Sequence, residues 1–166
     1  MKARYRFLIS CLSIVSQQRS IKSRFSEETI LSASNTLEII FPEGRTRKAA
    51  IVFVNWLKRN NGQASKNAVS KFADLLEGNS LSLNGSSFKY SRRNFYMTVL
   101  RTLVDLGFVR KNVPVWDEAR RKTLYMYARN IFDIPQRPPS IGFWRHSYYI
   151  CKKWNEMFTD YKSLNL

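Results

Sequence analysis

The segment from Ser91 to Arg129 constrains the fold more than any other part of the chain. It opens with two arginines on a helical pattern, stops at Gly107, and continues as two strand-like runs joined by a charged turn. Apolar residues recur at three- and four-residue steps before Gly107, and aromatic residues alternate with other apolar residues in the last run. A helix followed so closely by a hairpin has to pack against it, so the segment predicts a fold that mixes helix and strand.

The predicted helix runs from Ser91 to about Leu106 and has two distinct faces. Its apolar side carries Tyr96, Val99, Leu100 and Leu103, and Gly107 provides the stop that ends many helices. The polar face and the amino end carry side chains able to bind base edges, namely Arg92, Arg93, Asn94, Thr98 and Arg101, beside Thr102 and Asp105. The competing interpretation is an ordinary solvated helix face.

Two strands are predicted after this helix. The first, from Phe108 to Trp116, contains Pro114 and therefore suits the edge of a sheet. The second, from Thr123 to Arg129, should turn Leu124, Met126 and Ala128 to the core and Tyr125 and Tyr127 outward. The turn between them bears Arg120, Arg121 and Lys122, which could touch phosphates, although Asp117 and Glu118 partly cancel the charge.

Two further helices are predicted before this segment. One runs from about Thr46 to Asn60, and the other runs from a cap at Ser65 to Gly78. Between Asn79 and Tyr90, Asn84-Gly85 with alternating neighbours favours a hairpin, and an irregular serine-rich loop is the alternative.

This order of elements resembles the winged helix-turn-helix superfamily of DNA-binding domains, over about Arg45 to Arg129. The resemblance implies a mainly α fold with a small antiparallel β-hairpin wing, an α+β class. It also implies that the third helix enters the major groove of duplex DNA while the wing contacts the backbone, most often in transcriptional regulation. One departure is the connection from Asn79 to Tyr90, since the turn before a recognition helix is usually three or four residues long.

The charge of the chain also indicates a polyanionic partner. Twenty-eight lysine and arginine residues stand against 12 aspartate and glutamate residues, a net charge of +16. That excess favours nucleic acid, and double-stranded DNA is the partner that we expect. Two alternatives stay open: a winged-helix module that binds protein, and an RNA or ribonucleoprotein-binding protein in which Tyr125 and Tyr127 stack on bases.

Nothing in the pattern of residues indicates catalysis or a cofactor. The sequence has no glycine-rich phosphate loop, and Cys11, Cys151 and His146 do not form a metal-ligand or catalytic motif. We therefore expect a protein that is not an enzyme and needs no cofactor or metal. Widely separated cysteines favour a reducing cytoplasm and, with DNA as partner, association with the nucleoid.

The two ends of the chain receive separate predictions. Residues 1–44 form a basic extension with a helix capped at Ser26 and a short strand from Thr36 to Phe41. The segment Met1 to Val15 resembles a secretory signal, but no small-residue cleavage site follows, so export is not expected. No apolar run approaches the ~20 residues of a membrane span.

The predicted winged-helix domain covers residues 45–134, and a proline-rich linker and C-terminal helix cover residues 135–166. Aromatic residues recur along that helix at three- and four-residue steps, which is typical of a buried face. Packing on the domain and packing on a second copy both fit the pattern. A homodimer would use Trp144, Tyr148, Trp154 and Phe158, with Cys151 and Tyr161 on the same stripe.

Overall fold

The computed structural model describes residues 26–42, 44–83, 86–140 and 142–159, and the fold mixes helices with antiparallel strands. The chain divides into a central unit, Glu43–Asn130, and a terminal unit, Met1–Pro42 with Ile131–Leu166. The predicted features at Met1 to Val15, the turn Asn84-Gly85 and Tyr161 lie outside the described residues.

The helices are α1 (Glu27–Ser32), α2 (Thr36–Ile40), α3 (Gly44–Arg59), α4 (Lys66–Glu77), α5 (Arg92–Asn94, Phe95–Leu100 and Arg101–Asp105 in succession) and α6 (Gly142–Thr159). The strands are β1 (Gln63–Ser65), β2 (Leu81–Leu83), β3 (Ser86–Phe88), β4 (Val109–Asp117) and β5 (Lys122–Arg129).

Three of the central unit's helices meet in an aromatic core. Phe53 of α3, Phe72 of α4 and Phe95 of α5 are buried, and their ring centroids lie 5.2 to 5.4 Å apart. Tilted and edge-on rings at this separation attract one another beyond the effect of burial. The predicted helices α3 and α4 are confirmed, and the Ser65 hydroxyl caps α4 by accepting from the Ala68 amide at 3.2 Å.

The helix α5 is continuous but not uniform. Its middle section, Phe95–Leu100, is π-helical, with α-helical turns on either side. The predicted helix is therefore confirmed, but its buried face differs from the predicted one in two residues. Phe95 is buried and Tyr96 is half-buried, since wider turns change which residues share a face.

Strands β1, β5 and β4 form an antiparallel sheet in that order, with Pro114 on the edge strand β4 as predicted. The prediction that Tyr127 faces outward is wrong, because its side chain is only 8% exposed. Tyr127 pairs with Ala64 where the sheet is three strands wide, whereas Tyr125 pairs with Pro114 beyond the end of β1. The far half of the hairpin projects from the core, so alternation alone did not determine burial.

The long connection between α4 and α5 contains the predicted hairpin, formed by β2 and β3. Its two ends are fixed to the end of α4: the Ser80 amide donates to the Leu75 carbonyl at 3.1 Å, and the Tyr90 amide donates to the Leu76 carbonyl at 3.0 Å. The Tyr90 hydroxyl also lies 3.2 Å from the Thr46 hydroxyl of α3. Both ends of the connection therefore lie at the end of α4, and the extra residues do not separate α4 from α5.

In the terminal unit, α1 and α2 pack against α6. The cap of α1 at Ser26 is confirmed, but the predicted strand from Thr36 to Phe41 is wrong, because Thr36–Ile40 is helical. The Asn35 side chain caps this helix by accepting from the Leu37 and Glu38 amides, and the Glu38 carboxylate accepts from the Ser34 amide at 2.7 Å. These capping bonds outweigh the strand preference of a short β-branched run.

The aromatic stripe of α6 is largely buried. Tyr148, Trp154 and Phe158 are each less than 7% exposed, and Trp144 is half-buried. The structure packs α6 against α1 and α2, whereas the predicted packing was on the winged-helix domain or on a second copy. The prediction of a homodimer through these four side chains is therefore corrected, because three of the four rings are not accessible to a second copy.

Gly62 provides a first test of the central unit. Its φ is +74°, and its carbonyl accepts from the Arg129 amide at 2.7 Å. We expect Gly62→Ala to destabilise the protein by about 1–2 kcal/mol, the cost of a left-handed conformation for an L residue. A Cβ there would also lie 2.6 Å from Cδ of Arg129, although that flexible side chain can move.

Gly44→Ala is the matched control, because a Cβ at Gly44 meets nothing within 4 Å. In urea unfolding, Gly44→Ala should leave the midpoint unchanged or raise it, while Gly62→Ala lowers it. Equal midpoints for the two variants would contradict the role given to Gly62.

Candidate nucleic-acid interface

Positive charge is concentrated in the central unit. Between Glu43 and Asn130 the sequence contains 17 lysine and arginine residues and six aspartate and glutamate residues. This unit therefore holds +11 of the net charge of +16. A field of this size attracts polyanions, and it belongs to the unit that carries α5 and the hairpin of β4 and β5.

Three of the acidic side chains of this unit form ion pairs with basic neighbours. Asp74 forms an ion pair with Arg92, Asp105 lies 3.4 Å from Arg101, and Asp117 lies 3.7 Å from Arg120. These pairs are exposed and contribute little stability. Their effect on the surface is to leave the remaining cations as the dominant charge.

Arg92 acts as a brace between α4 and α5. Its guanidinium donates to the Asp74 carboxylate and, at 3.0 Å, to the Ser70 hydroxyl, both on α4. Its backbone amide faces the Glu77 carboxylate at 3.4 Å, and its guanidinium lies 6.0 Å from the centre of the Tyr96 ring. These contacts fix the start of α5 relative to α4, so Arg92 positions the predicted recognition helix.

Three predicted site residues on α5 are exposed without any partner for their side chains in the described part of the chain: Arg93, Asn94 and Thr98. Arg101 is also exposed, but its side chain forms an ion pair with Asp105. The helix thus presents an arginine and an amide, each with donors that no described residue uses. Both side chains can form bidentate hydrogen bonds, arginine with guanine and asparagine with adenine.

The turn between β4 and β5 presents the other three predicted residues. The Arg120 amide donates to the Asp117 carboxylate at 3.1 Å, which orders the turn. The side chains of Arg121 and Lys122 are exposed and make no ion pair or hydrogen bond with any residue that the structure describes. Arg121 has a φ of +48°, a left-handed conformation that glycine and asparagine adopt more easily than arginine.

Two kinds of surface residue were not among those predicted from the sequence. Asp74 and Ser70 hold Arg92, and no spacing in the sequence signals a contact across two helices. Met97 lies on α5 between Asn94 and Arg101 and is 57% exposed, while Trp116 on β4 is 56% exposed. A helical wheel places Met97 among polar residues, so that signal was present in the sequence.

Burial raises the pKa of the Tyr127 hydroxyl above its usual value of 10.0, and the neighbouring Tyr96 phenol adds to the shift. The Tyr127 hydroxyl is therefore neutral at physiological pH and contributes no charge to this surface.

The described residues provide no site for a metal ion, since no three histidine, cysteine, aspartate or glutamate side chains among them form a suitable group. None of the described helices is long and apolar enough to pass through a membrane. Neither protein-family models, nor curated proteins, nor solved structures match the chain.

Proposed function

We propose that the central unit is a winged helix-turn-helix domain and that the protein binds duplex DNA as a transcriptional regulator. Support comes from the order of its elements: helices α3, α4 and α5 are followed by β4, a basic turn and β5. Strand β1 pairs with β5, which ties the hairpin to the helical core. The position of the hairpin therefore depends on that core.

The observation that carries the proposal is a set of exposed polar and basic side chains, on two elements of one unit, that have no partner among the residues the structure describes. Arg93 and Asn94 lie near the amino end of α5, and Arg121 and Lys122 lie at the turn of the hairpin. The major groove of B-DNA admits an α-helix, and phosphate contacts from a second element fix its register. We therefore propose that α5 contacts base edges and that the hairpin turn contacts the DNA backbone.

This proposal predicts strong dependence on salt. A protein that neutralises several phosphates releases their counterions, so the logarithm of the association constant should fall linearly with the logarithm of salt concentration. The slope should be about −0.9 for each phosphate that is contacted. Fluorescence anisotropy of a labelled random-sequence duplex, titrated with the full chain over a range of salt concentrations, measures it.

The matched variants are Lys122→Ala on the hairpin turn and Arg137→Ala, an exposed cation of the terminal unit. Lys122→Ala should reduce the slope by about one phosphate equivalent, and Arg137→Ala should leave it unchanged. Absence of binding at low salt, or binding that salt and both variants leave unaltered, would overturn the proposal. In that case, capture of one stable protein partner would favour the protein-binding alternative.

A further inference from the structure

An exposed aromatic face lies on the projecting half of the hairpin. Trp116 is 56% exposed and Tyr125 is 58% exposed, although both residues belong to paired strands. Their neighbours on that face, Pro114 and Thr123, are also exposed. The opposite face, with Val113 and its neighbours, is half-buried, so the hairpin directs its largest rings away from the protein.

The strand register places the two rings close together. Trp116 pairs with Thr123 and Pro114 pairs with Tyr125, so Trp116 and Tyr125 are diagonal neighbours on one face. Diagonal neighbours of an antiparallel pair are about 7–8 Å apart. Aromatic side chains reach across a separation of this size, so Trp116 and Tyr125 can both contact one flat ring placed on that face.

We propose that Trp116 and Tyr125 stack on an unpaired base, so that the protein prefers a junction between duplex and single-stranded DNA. The inference rests on the proposed function, because α5 and the basic turn hold the adjoining duplex. Bases inside a duplex hide their faces in the stack, and only an unpaired base offers a face to these rings.

The charge around the two rings suits nucleic acid better than an apolar protein partner. Arg121 and Lys122 adjoin Thr123 at the turn, and Arg110 and Lys111 are exposed on β4. Binding of single strands combines a basic surface for the backbone with aromatic side chains for the bases. Both parts are present on this hairpin.

The test compares a blunt duplex with the same duplex carrying a single-stranded thymine overhang of about six nucleotides, within the range that one such site covers. The wild-type protein should bind the overhang substrate about tenfold more tightly, a change typical of one stacked base. Trp116→Ala should remove this preference and leave the affinity for the blunt duplex unchanged. Tyr125→Leu is a second variant that also removes one ring.

Phe143→Ala is the matched control, since Phe143 is an exposed aromatic residue of the terminal unit. It should keep the overhang preference. Quenching of tryptophan fluorescence by iodide gives a second readout, because Trp116 is exposed, Trp56 and Trp144 are half-buried and Trp154 is fully buried. The quenching that is lost in Trp116→Ala is that of Trp116. The overhang substrate, but not the blunt duplex, should protect Trp116 from iodide.

The outcomes separate the two proposals. No binding to either substrate would overturn the proposed function itself. Equal binding to both substrates, or an overhang preference that survives in both Trp116→Ala and Tyr125→Leu, would overturn the stacking site and leave duplex binding intact. A purified protein partner that competes with both DNA substrates and loses affinity in Trp116→Ala would assign the aromatic face to protein binding instead.

Discussion

Phe95→Ala is expected to destabilise the central unit by about 3–5 kcal/mol, the usual cost of removing a buried phenylalanine ring. Phe95 is fully buried, and its ring lies 5.2 Å from Phe53 and 5.4 Å from Phe72, measured between centroids. It is therefore a side chain of α5 that contacts both other helices. Its loss should leave a cavity at the point where all three helices join.

Met97→Ala is the control on the same helix, two residues away and 57% exposed. A substitution at an exposed position of this kind usually changes stability by less than about 0.5 kcal/mol. Urea unfolding followed by circular dichroism should separate the two variants clearly. If Phe95→Ala and Met97→Ala had the same midpoint, the aromatic core described for these helices would be incorrect.

The same substitution links stability to the proposed function. The ion pair of Arg92 is exposed and adds little stability, so the folding of the central unit depends mainly on the apolar contacts of Phe95 and its neighbours. A variant that has lost those contacts should bind DNA only to the extent that it remains folded. The DNA affinity of this variant, corrected for the fraction of protein that is folded, should equal that of the wild type.

Local signals predicted much of the fold. Ser65, Gly78 and Gly107 mark the ends of helices, Pro114 marks the edge strand, and the Asn-Gly turn marks the hairpin of β2 and β3. Each acts through the backbone of its own neighbourhood, by supplying a capping bond, by lacking an N–H or by easing a turn. Such effects can be predicted without knowing the rest of the structure.

Two of the errors arose where distant parts of the chain decide the outcome. Burial of Tyr127 depends on β1, which precedes it by some sixty positions and covers only one end of the hairpin. The buried face of α5 depends on π-helical turns that place Phe95 against α3 and α4. Neither the width of a sheet nor a change in helical pitch leaves a local pattern in the sequence.

The candidate site could also be predicted only in part from the sequence. Residue types and exposed positions on α5 and the hairpin turn followed from the sequence, and all eight predicted side chains are exposed. Which of them are already engaged did not follow. Arg92 contacts Asp74, 18 residues away, and only a tertiary structure brings these two groups together.

Arg93→Ala is expected to reduce discrimination between DNA sequences by about 1–3 kcal/mol, the contribution of one bidentate contact between arginine and guanine. The guanidinium of Arg93 is exposed near the amino end of α5 and has no partner among the described residues, so its removal should not affect folding. Selection from a random duplex pool, repeated for wild type and variant, measures the change. Enrichment should weaken at one base pair and persist at the others.

Arg121→Asn gives the contrasting result on the hairpin turn. Asparagine tolerates the left-handed conformation that Arg121 adopts at φ +48°, so this variant removes a charge without adding backbone strain. Stability should be unchanged or slightly higher, while affinity for every duplex falls alike and the salt slope decreases by about 1. Because a phosphate contact carries no sequence information, the selected sequences should be those of the wild type. Loss of sequence preference in Arg121→Asn, with preference retained in Arg93→Ala, would reverse the assignment of base and backbone contacts to the two elements.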